Sequence, residues 1–115
     1  SDLAVVVRAP DLVGIFGANL FSAIGAADGV KSMGKSGEIK VVAFDAPTRI
    51  VDDLKSGLID MAIAQHPAEI GYMGVMVAYG HVTDNPVPVS IGTGFTVMTA
   101  DNIDDPAISK YVYSD

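Results

Sequence analysis

The chain has 115 residues, 7 Lys and Arg against 14 Asp and Glu for a formal net charge of −7, no cysteine and no tryptophan, and half of its residues are apolar. That length suits one domain and not two, and that apolar fraction excludes a disordered chain. The acidic balance argues against nucleic acid and anionic membrane as partners, and the missing cysteines remove disulfides, thiol catalysis and cysteine-ligated metals.

Residues 2–9 read as a strand or a helix end, and we take them as a helix remnant stopped by Pro10. Pro10-Asp11 turns into an apolar strand over 12–17 that runs out at Asn19. Asn19 is placed to cap a helix over 20–34, with Leu20, Ile24, Ala27 and Val30-Met33 as its inner stripe. After the Gly34-Lys35-Ser36-Gly37 loop comes Ile39-Lys40-Val41-Val42-Ala43-Phe44, which stops at Asp45. A short run with no polar face reads as a strand buried on both sides, as in a parallel sheet covered by helices. A helix over 47–56 follows, with Pro47 in its first position, Ile50, Val51 and Leu54 inward, Asp52 and Asp53 outward, and Gly57 as its end. A strand over 60–65 ends at Gln65. Pro67 opens a third helix over 67–82 that is apolar nearly all round, from Ile70, Tyr72, Met73, Val75, Met76 and Val77 to Tyr79 and Val82. Such a helix is deeply buried or packs against something else. A Pro-broken link leads to a β-rich stretch over 87–99 and a short helix over 106–113. No run reaches membrane-spanning length, and no signal peptide opens the sequence. Alternating strands and helices define an α/β fold, a parallel sheet with flanking helices.

Three strands thus each end in one hydrogen-bonding side chain: Asn19, Asp45 and Gln65. In open α/β sheets ligands bind at the carboxyl ends of strands. A carboxylate accepts from two neighbouring hydroxyls, and an amide both donates and accepts. One Asp and two amides therefore suit the hydroxyls of a sugar or polyol better than bond cleavage. The plainer reading makes Asn19 and Asp45 helix caps and Gln65 a loop residue.

Other chemistries fit less well. A receiver-type phosphoacceptor needs an acidic pair after the first strand and a later Lys, where this chain has Gly17-Ala18-Asn19-Leu20 and Gln65-His66. Glycoside hydrolysis needs two carboxylates, and Asp45 has no partner in the set. His66 and His81 are isolated, and a metal site needs more ligands; no metal and no cofactor is expected. Gly92-Thr93-Gly94 lacks the third glycine of a nucleotide loop and reads as a bulge or bend. Asp101-Asn102-Ile103-Asp104-Asp105 lacks the alternation and closing Glu of a calcium loop and reads as a solvated helix start.

Pro10-Asp11-Leu12-Val13-Gly14-Ile15-Phe16-Gly17-Ala18-Asn19, Val41-Val42-Ala43-Phe44-Asp45, and Ala62-Ile63-Ala64-Gln65-His66-Pro67 with Ile70-Gly71 and Gly74 resemble successive motifs of the type I periplasmic sugar-binding proteins, the ribose-binding group in particular. The tail from Thr93 to Pro106 resembles the end of many members. The resemblance covers nearly the whole chain, and its motifs are specific jointly. It implies a binding module and not an enzyme. Two lobes close on a monosaccharide or polyol, which is handed to the membrane component of an ABC importer in the periplasm. Asn19, Asp45 and Gln65 are then sugar-binding positions on the C-terminal lobe.

The implied division is a C-terminal sugar-binding lobe over about 1–65, a hinge crossing and N-lobe-type helix over about 66–85, and a C-terminal strand and helix over about 86–115. Members are more than twice this long, so the resemblance implies the C-terminal part of such a protein. The first lobe's sheet, its sandwiching aromatics and its Arg residues are absent here, and Leu20 stands where many members carry an acid. An exposed apolar helix in such a part invites self-association. The alternatives are the effector lobe of a LacI-type regulator and a free-standing flavodoxin-like or receiver-like domain.

Overall fold

Four strands and four helices alternate along the chain: β1 (Gly14–Gly17), α1 (Leu20–Ser32), β2 (Lys40–Phe44), α2 (Thr48–Lys55), β3 (Met61–Gln65), α3 (Pro67–Val82), β4 (Phe95–Met98) and α4 (Pro106–Ser109). This computed structural model describes residues 9–114. The helix remnant expected at 2–9 lies outside them except for its last residue.

The strands form one sheet in the order β1-β2-β3-β4. The first three are parallel, with Phe16 opposite Val42 and Ala43 opposite Ala62. The fourth is antiparallel, with Gln65 opposite Phe95 and Ala62 opposite Met98. The parallel sheet expected from the alternation therefore gains one reversed edge strand. α3 is 16 residues long and the link after it brings the chain back to β4 from the carboxyl end of β3, so β4 starts where β3 ends. Asp60 secures the middle of the sheet: its carboxylate accepts from the Val41 backbone N–H at 2.9 Å and from Lys40 Nζ at 2.7 Å.

Helix α1 starts on a capping box. Asn19 Oδ1 accepts from the Ser22 N–H at 3.0 Å, while Ser22 Oγ lies 3.2 Å from the Asn19 N–H. Its buried face is made of small residues, Ala23, Ala26, Ala27, Gly29 and Val30, while the larger Leu20, Ile24 and Met33 are half-buried. Close approach is the reason. A Cβ on Gly17 would lie 2.3 Å from the Ala23 Cα, so the end of β1 touches the helix backbone itself. In α2 the inward residues are Ile50 and Leu54, with Val51 half-buried, as the periodicity predicts. Pro47 is the residue before the first turn and not in it.

The core lies between one face of the sheet and α1 and α2. Val41, Ala43, Ala62, Ala64 and Met98 from the strands meet Ala23, Ala27, Val30, Ile50 and Leu54 from the helices. Full burial of each large aliphatic contributes about 1.5–3 kcal/mol. The opposite face is open: Phe16, Phe95 and Val97 are exposed and Val42 and Phe44 only half-buried. The expectation of strands covered on both sides is corrected here. The two packed helices share one face, and nothing among the described residues covers the other.

α3 is also bare. None of its residues is buried, and Tyr72, Val75, Met76, Tyr79 and Val82 are exposed. Of the β-rich stretch 87–99 only Phe95–Met98 forms a ladder. Pro86 and Pro88 break the segment before it, and a strand exists only where its backbone finds a partner. α4 stops at Ser109, and the tail then folds back so that Tyr113 pairs with Pro47 in an isolated parallel bridge. Asp105 caps α4, accepting from the Ala107 N–H at 2.8 Å, as a solvated helix start would. Asp53 departs from its expected outward place: its side chain is 17% exposed and lies 3.7 Å from Arg49 Nε.

Candidate functional site

Asp45 leaves β2 in an unusual conformation. Its φ is +77°, in the left-handed region that Asp tolerates better than most residues. Its N–H donates to the Ile63 carbonyl at 2.9 Å, which ties the bend to β3. Backbone strain that the surroundings hold in place is a mark of functional positions. Asp45 caps no helix, because the residue before α2 is Pro47 and makes no side-chain cap.

Gln65 is the last residue of β3 and not a loop residue. Its Nε2 donates to Asp45 Oδ1 at 2.7 Å. The bond joins two neighbouring parallel strand ends and consumes one amide donor and one carboxylate lone pair. Asp45 Oδ2, Gln65 Oε1 and the second Gln65 N–H keep capacity for hydroxyls.

A cavity of about 530 Å³ opens beside this pair, lined by Asp45, Gln65, Pro67, Ile70, Gly71 and Tyr113. That volume falls within the roughly 300–1,000 Å³ of small-molecule sites. Two polar groups stand in an otherwise apolar and aromatic wall. Asp45 carries the only formal charge in the lining. Elsewhere Lys40 pairs with Asp60, Arg49 with Asp28, Lys55 with Asp104 and Lys35 with Glu38, and Lys110 lies over the Tyr111 ring. The chemistry on offer is recognition of a neutral, hydroxyl-rich molecule. Among the described residues no group of three or more His, Asp or Glu is arranged to hold a metal ion.

Asn19 lies on the same strand edge but does not line this cavity. Its Oδ1 is committed to the α1 cap, so the cap reading of Asn19 holds, and its Nδ2 is what it has to offer a ligand. The structure thus brings Asp45 and Gln65 into contact and leaves Asn19 apart from them.

His66 is held for structural reasons. Nδ1–H donates to Glu69 at 3.0 Å, Nε2 lies 2.8 Å from Thr96 Oγ1, and the ring stacks on Tyr111 with centroids 3.8 Å apart. A Cβ on Gly94 would sit 2.5 Å from the His66 ring, so Gly94 makes room for it. The Gly92–Gly94 segment is therefore an exposed approach to β4 that lies outside the strand and passes close to the rest of the fold at Gly94 alone. Far from this edge, burial pushes the Asp53 carboxyl above its ordinary range, with the Arg49 guanidinium opposing and the Asp28 charge adding to the rise.

Tyr113 is the lining residue that sequence reading missed. It stands 68 positions after Asp45 in a tail read as helix, and only the return of that tail to Ala46 and Pro47 brings it near.

Residues 4–86 match the family described as periplasmic binding protein domain. The chain is 34% identical over 71 residues to the D-allose-binding periplasmic protein of Escherichia coli (strain K12), which covers 62% of this chain and 23% of that protein. An ABC transporter solute-binding protein from Agrobacterium vitis, solved with α-D-tagatopyranose, superposes with a TM-score of 0.93 and 60% identity over 99% of this chain and 38% of its own. A second A. vitis solute-binding protein, with bound D-fucose, gives a TM-score of 0.88 and 31% identity over 97% of this chain and 39% of its own. A carbohydrate transporter solute-binding protein from Agrobacterium radiobacter, in complex with D-arabinose, gives 0.87 and 28% over 97% and 38%. The chain therefore spans less than two fifths of the length of each of these relatives.

Proposed function

The chain belongs to the periplasmic binding protein family, and from that premise we propose that it supplies the C-terminal, sugar-facing part of an ABC-transporter solute-binding protein. The ligand is a neutral monosaccharide or polyol, bound outside the cytoplasmic membrane and passed to the importer's membrane component. The chain binds and releases; it does not catalyse. Asp45 accepts from two adjacent hydroxyls, Gln65 donates and accepts beside it, and Asn19 Nδ2 donates from the next strand end. The observation that carries this reading is the Asp45–Gln65 hydrogen bond at the mouth of a cavity with no cation in it.

The same premise accounts for the bare surfaces. In this reading the lobe with the sugar-binding strand ends is about 1–65, about 66–85 cross a hinge to a first lobe, and about 86–115 supply the C-terminal strand and helix. α3 then packs on that first lobe, which explains an apolar helix with no buried residue. The isolated chain, with α3 uncovered, self-associates.

A thermal-shift scan of the full-length protein against D-tagatose, D-fucose, D-arabinose and D-allose tests the reading. A ligand at a hundred times its dissociation constant adds about 2.7 kcal/mol. One of these sugars raises the melting temperature, and Asp45→Ala weakens its binding by about tenfold to a hundredfold, since a buried hydrogen bond to a charged group is worth about 1.5–3 kcal/mol. No shift with any of them overturns the reading.

A further inference from the structure

We propose that His66 is a positioning residue for this site: its ring brackets α3 to the sheet and so sets the width of the cavity in which Asp45 and Gln65 hold the ligand. The inference rests on the sugar-binding reading above and places a control on affinity in a residue that does not itself line the cavity.

The cavity has two walls of different origin. Asp45 and Gln65 stand at the carboxyl ends of β2 and β3, while Pro67, Ile70 and Gly71 belong to the first turns of α3. The sheet fixes the first wall: Gln65 pairs opposite Phe95, and the Asp45 N–H is tied to the Ile63 carbonyl. The second wall has no such support, because no residue of α3 is buried and packing on the core does not set its direction. Only His66 stands between Gln65 and Pro67, and its carbonyl accepts from the Ile70 N–H at 3.0 Å. The residue that follows one wall therefore starts the other. Gly71 comes five residues later, about 7.5 Å along the helix axis. A tilt of about 10° at His66 moves it by about 1 Å, beyond the ~0.5 Å to which a binding site must be held.

The His66 side chain is what resists that tilt. It makes no cap on its own helix and is only 14% exposed. Nδ1–H donates to Glu69 in the first turn of α3, and Nε2 meets the Thr96 hydroxyl of β4. The ring lies flat on Tyr111 of the tail, with 4° between the planes. An imidazole suits this place because its two nitrogens stand on different edges of one rigid ring. A single side chain thus grips helix and strand at once, while its face stacks on a third element.

The test is calorimetry on the full-length protein, with whichever of D-tagatose, D-fucose, D-arabinose and D-allose binds best. It compares His66→Phe, Glu69→Ala, Thr96→Val and the two double variants that include His66→Phe with the wild type. His66→Phe keeps a ring to stack but breaks both hydrogen bonds, and it weakens binding by about tenfold. Glu69→Ala and Thr96→Val each weaken it by roughly threefold or more, although neither residue lines the cavity. Neither adds to the loss in His66→Phe, since the bracket is already open there. Thr96→Val also shifts the Gly71 amide resonance of the sugar-free protein, which a change confined to β4 would not do. Wild-type affinity in His66→Phe, losses that add in full, or an unmoved Gly71 resonance overturns the inference and leaves the sugar-binding reading standing. A wild type that binds none of the four sugars overturns both. If His66→Phe does not fold, Thr96→Val and the exposed Glu69→Ala decide instead. Wild-type affinity in either overturns the inference, and weaker binding in both with the Gly71 shift upholds it.

Discussion

Gln65 Nε2 lies 2.7 Å from Asp45 Oδ1, so the last side chain of β3 orients the carboxylate that follows β2. The two residues are 20 positions apart in sequence and meet because β2 and β3 are parallel neighbours whose carboxyl ends fall level. The bond leaves the pair with a fixed outer rim of one carboxylate oxygen, one amide oxygen and one N–H.

Gln65→Glu is the sharpest probe of that pair. It replaces a donor by a second carboxylate at contact distance, and at neutral pH two negative charges so close repel each other and spread apart. Sugar binding at neutral pH falls by about tenfold or more. It recovers in part on acidification, as the two carboxyls come to share a proton. Affinity measured at pH 7 and pH 5 checks this, and an unchanged neutral-pH affinity in Gln65→Glu contradicts the orienting role.

Asn19 serves the fold and, under the proposed function, the ligand, and two substitutions separate the roles. Asn19→Ala removes the α1 cap and costs about 1 kcal/mol of stability. Asn19→Ser keeps a capping oxygen but has no amide N–H₂, so it melts close to the wild type while binding sugar more weakly. Melting temperature and dissociation constant measured on both variants decide it. Wild-type affinity in Asn19→Ser would reduce Asn19 to a cap.

Asp53 gives stability a pH dependence of defined sign. Burial raises its folded pKa above the ordinary 3.8, so the unfolded chain releases this proton first. Stability is therefore lost as pH rises from 3.8 towards the folded value, and the deficit persists at neutral pH. Asp53 Oδ2 is buried without a hydrogen bond, and at 3.7 Å Arg49 Nε is too far to make one. Asp53→Asn raises the melting temperature at pH 7, and the gain shrinks below the ordinary carboxylate range. A gain of the same size at pH 3 and pH 7 would contradict the burial argument.

The elements were legible because their signals are local. Asn19 three residues before Ser22, an Ile50–Leu54 stripe and Pro67 at a helix start each involve a few neighbouring residues. The three strand-end residues were legible for the same reason, since each ends an apolar run. The direction of β4, the shortening of 87–99 to four residues and the inward turn of Asp53 were not. The first two depend on a partner many positions away, β3 for the direction and a strand mate for the length, and the third on the packing of α2, which buries Asp53 and brings the charge of the distant Asp28 to bear on it.

By itself the sequence determined an α/β chain with polar groups at successive strand ends, because alternation of apolar runs and caps is a short-range property that survives without tertiary contacts. It also carried the likeness to the periplasmic sugar-binding family. Only the tertiary structure decided which of those groups meet. Asp45 and Gln65 share a hydrogen bond because their strands pair in register, while Asn19 is one strand further along with its carbonyl spent on a cap. Tyr113 joins the cavity because the tail closes back onto Ala46. Contacts of that range arise from packing the whole chain at once, and no window of neighbouring residues contains them.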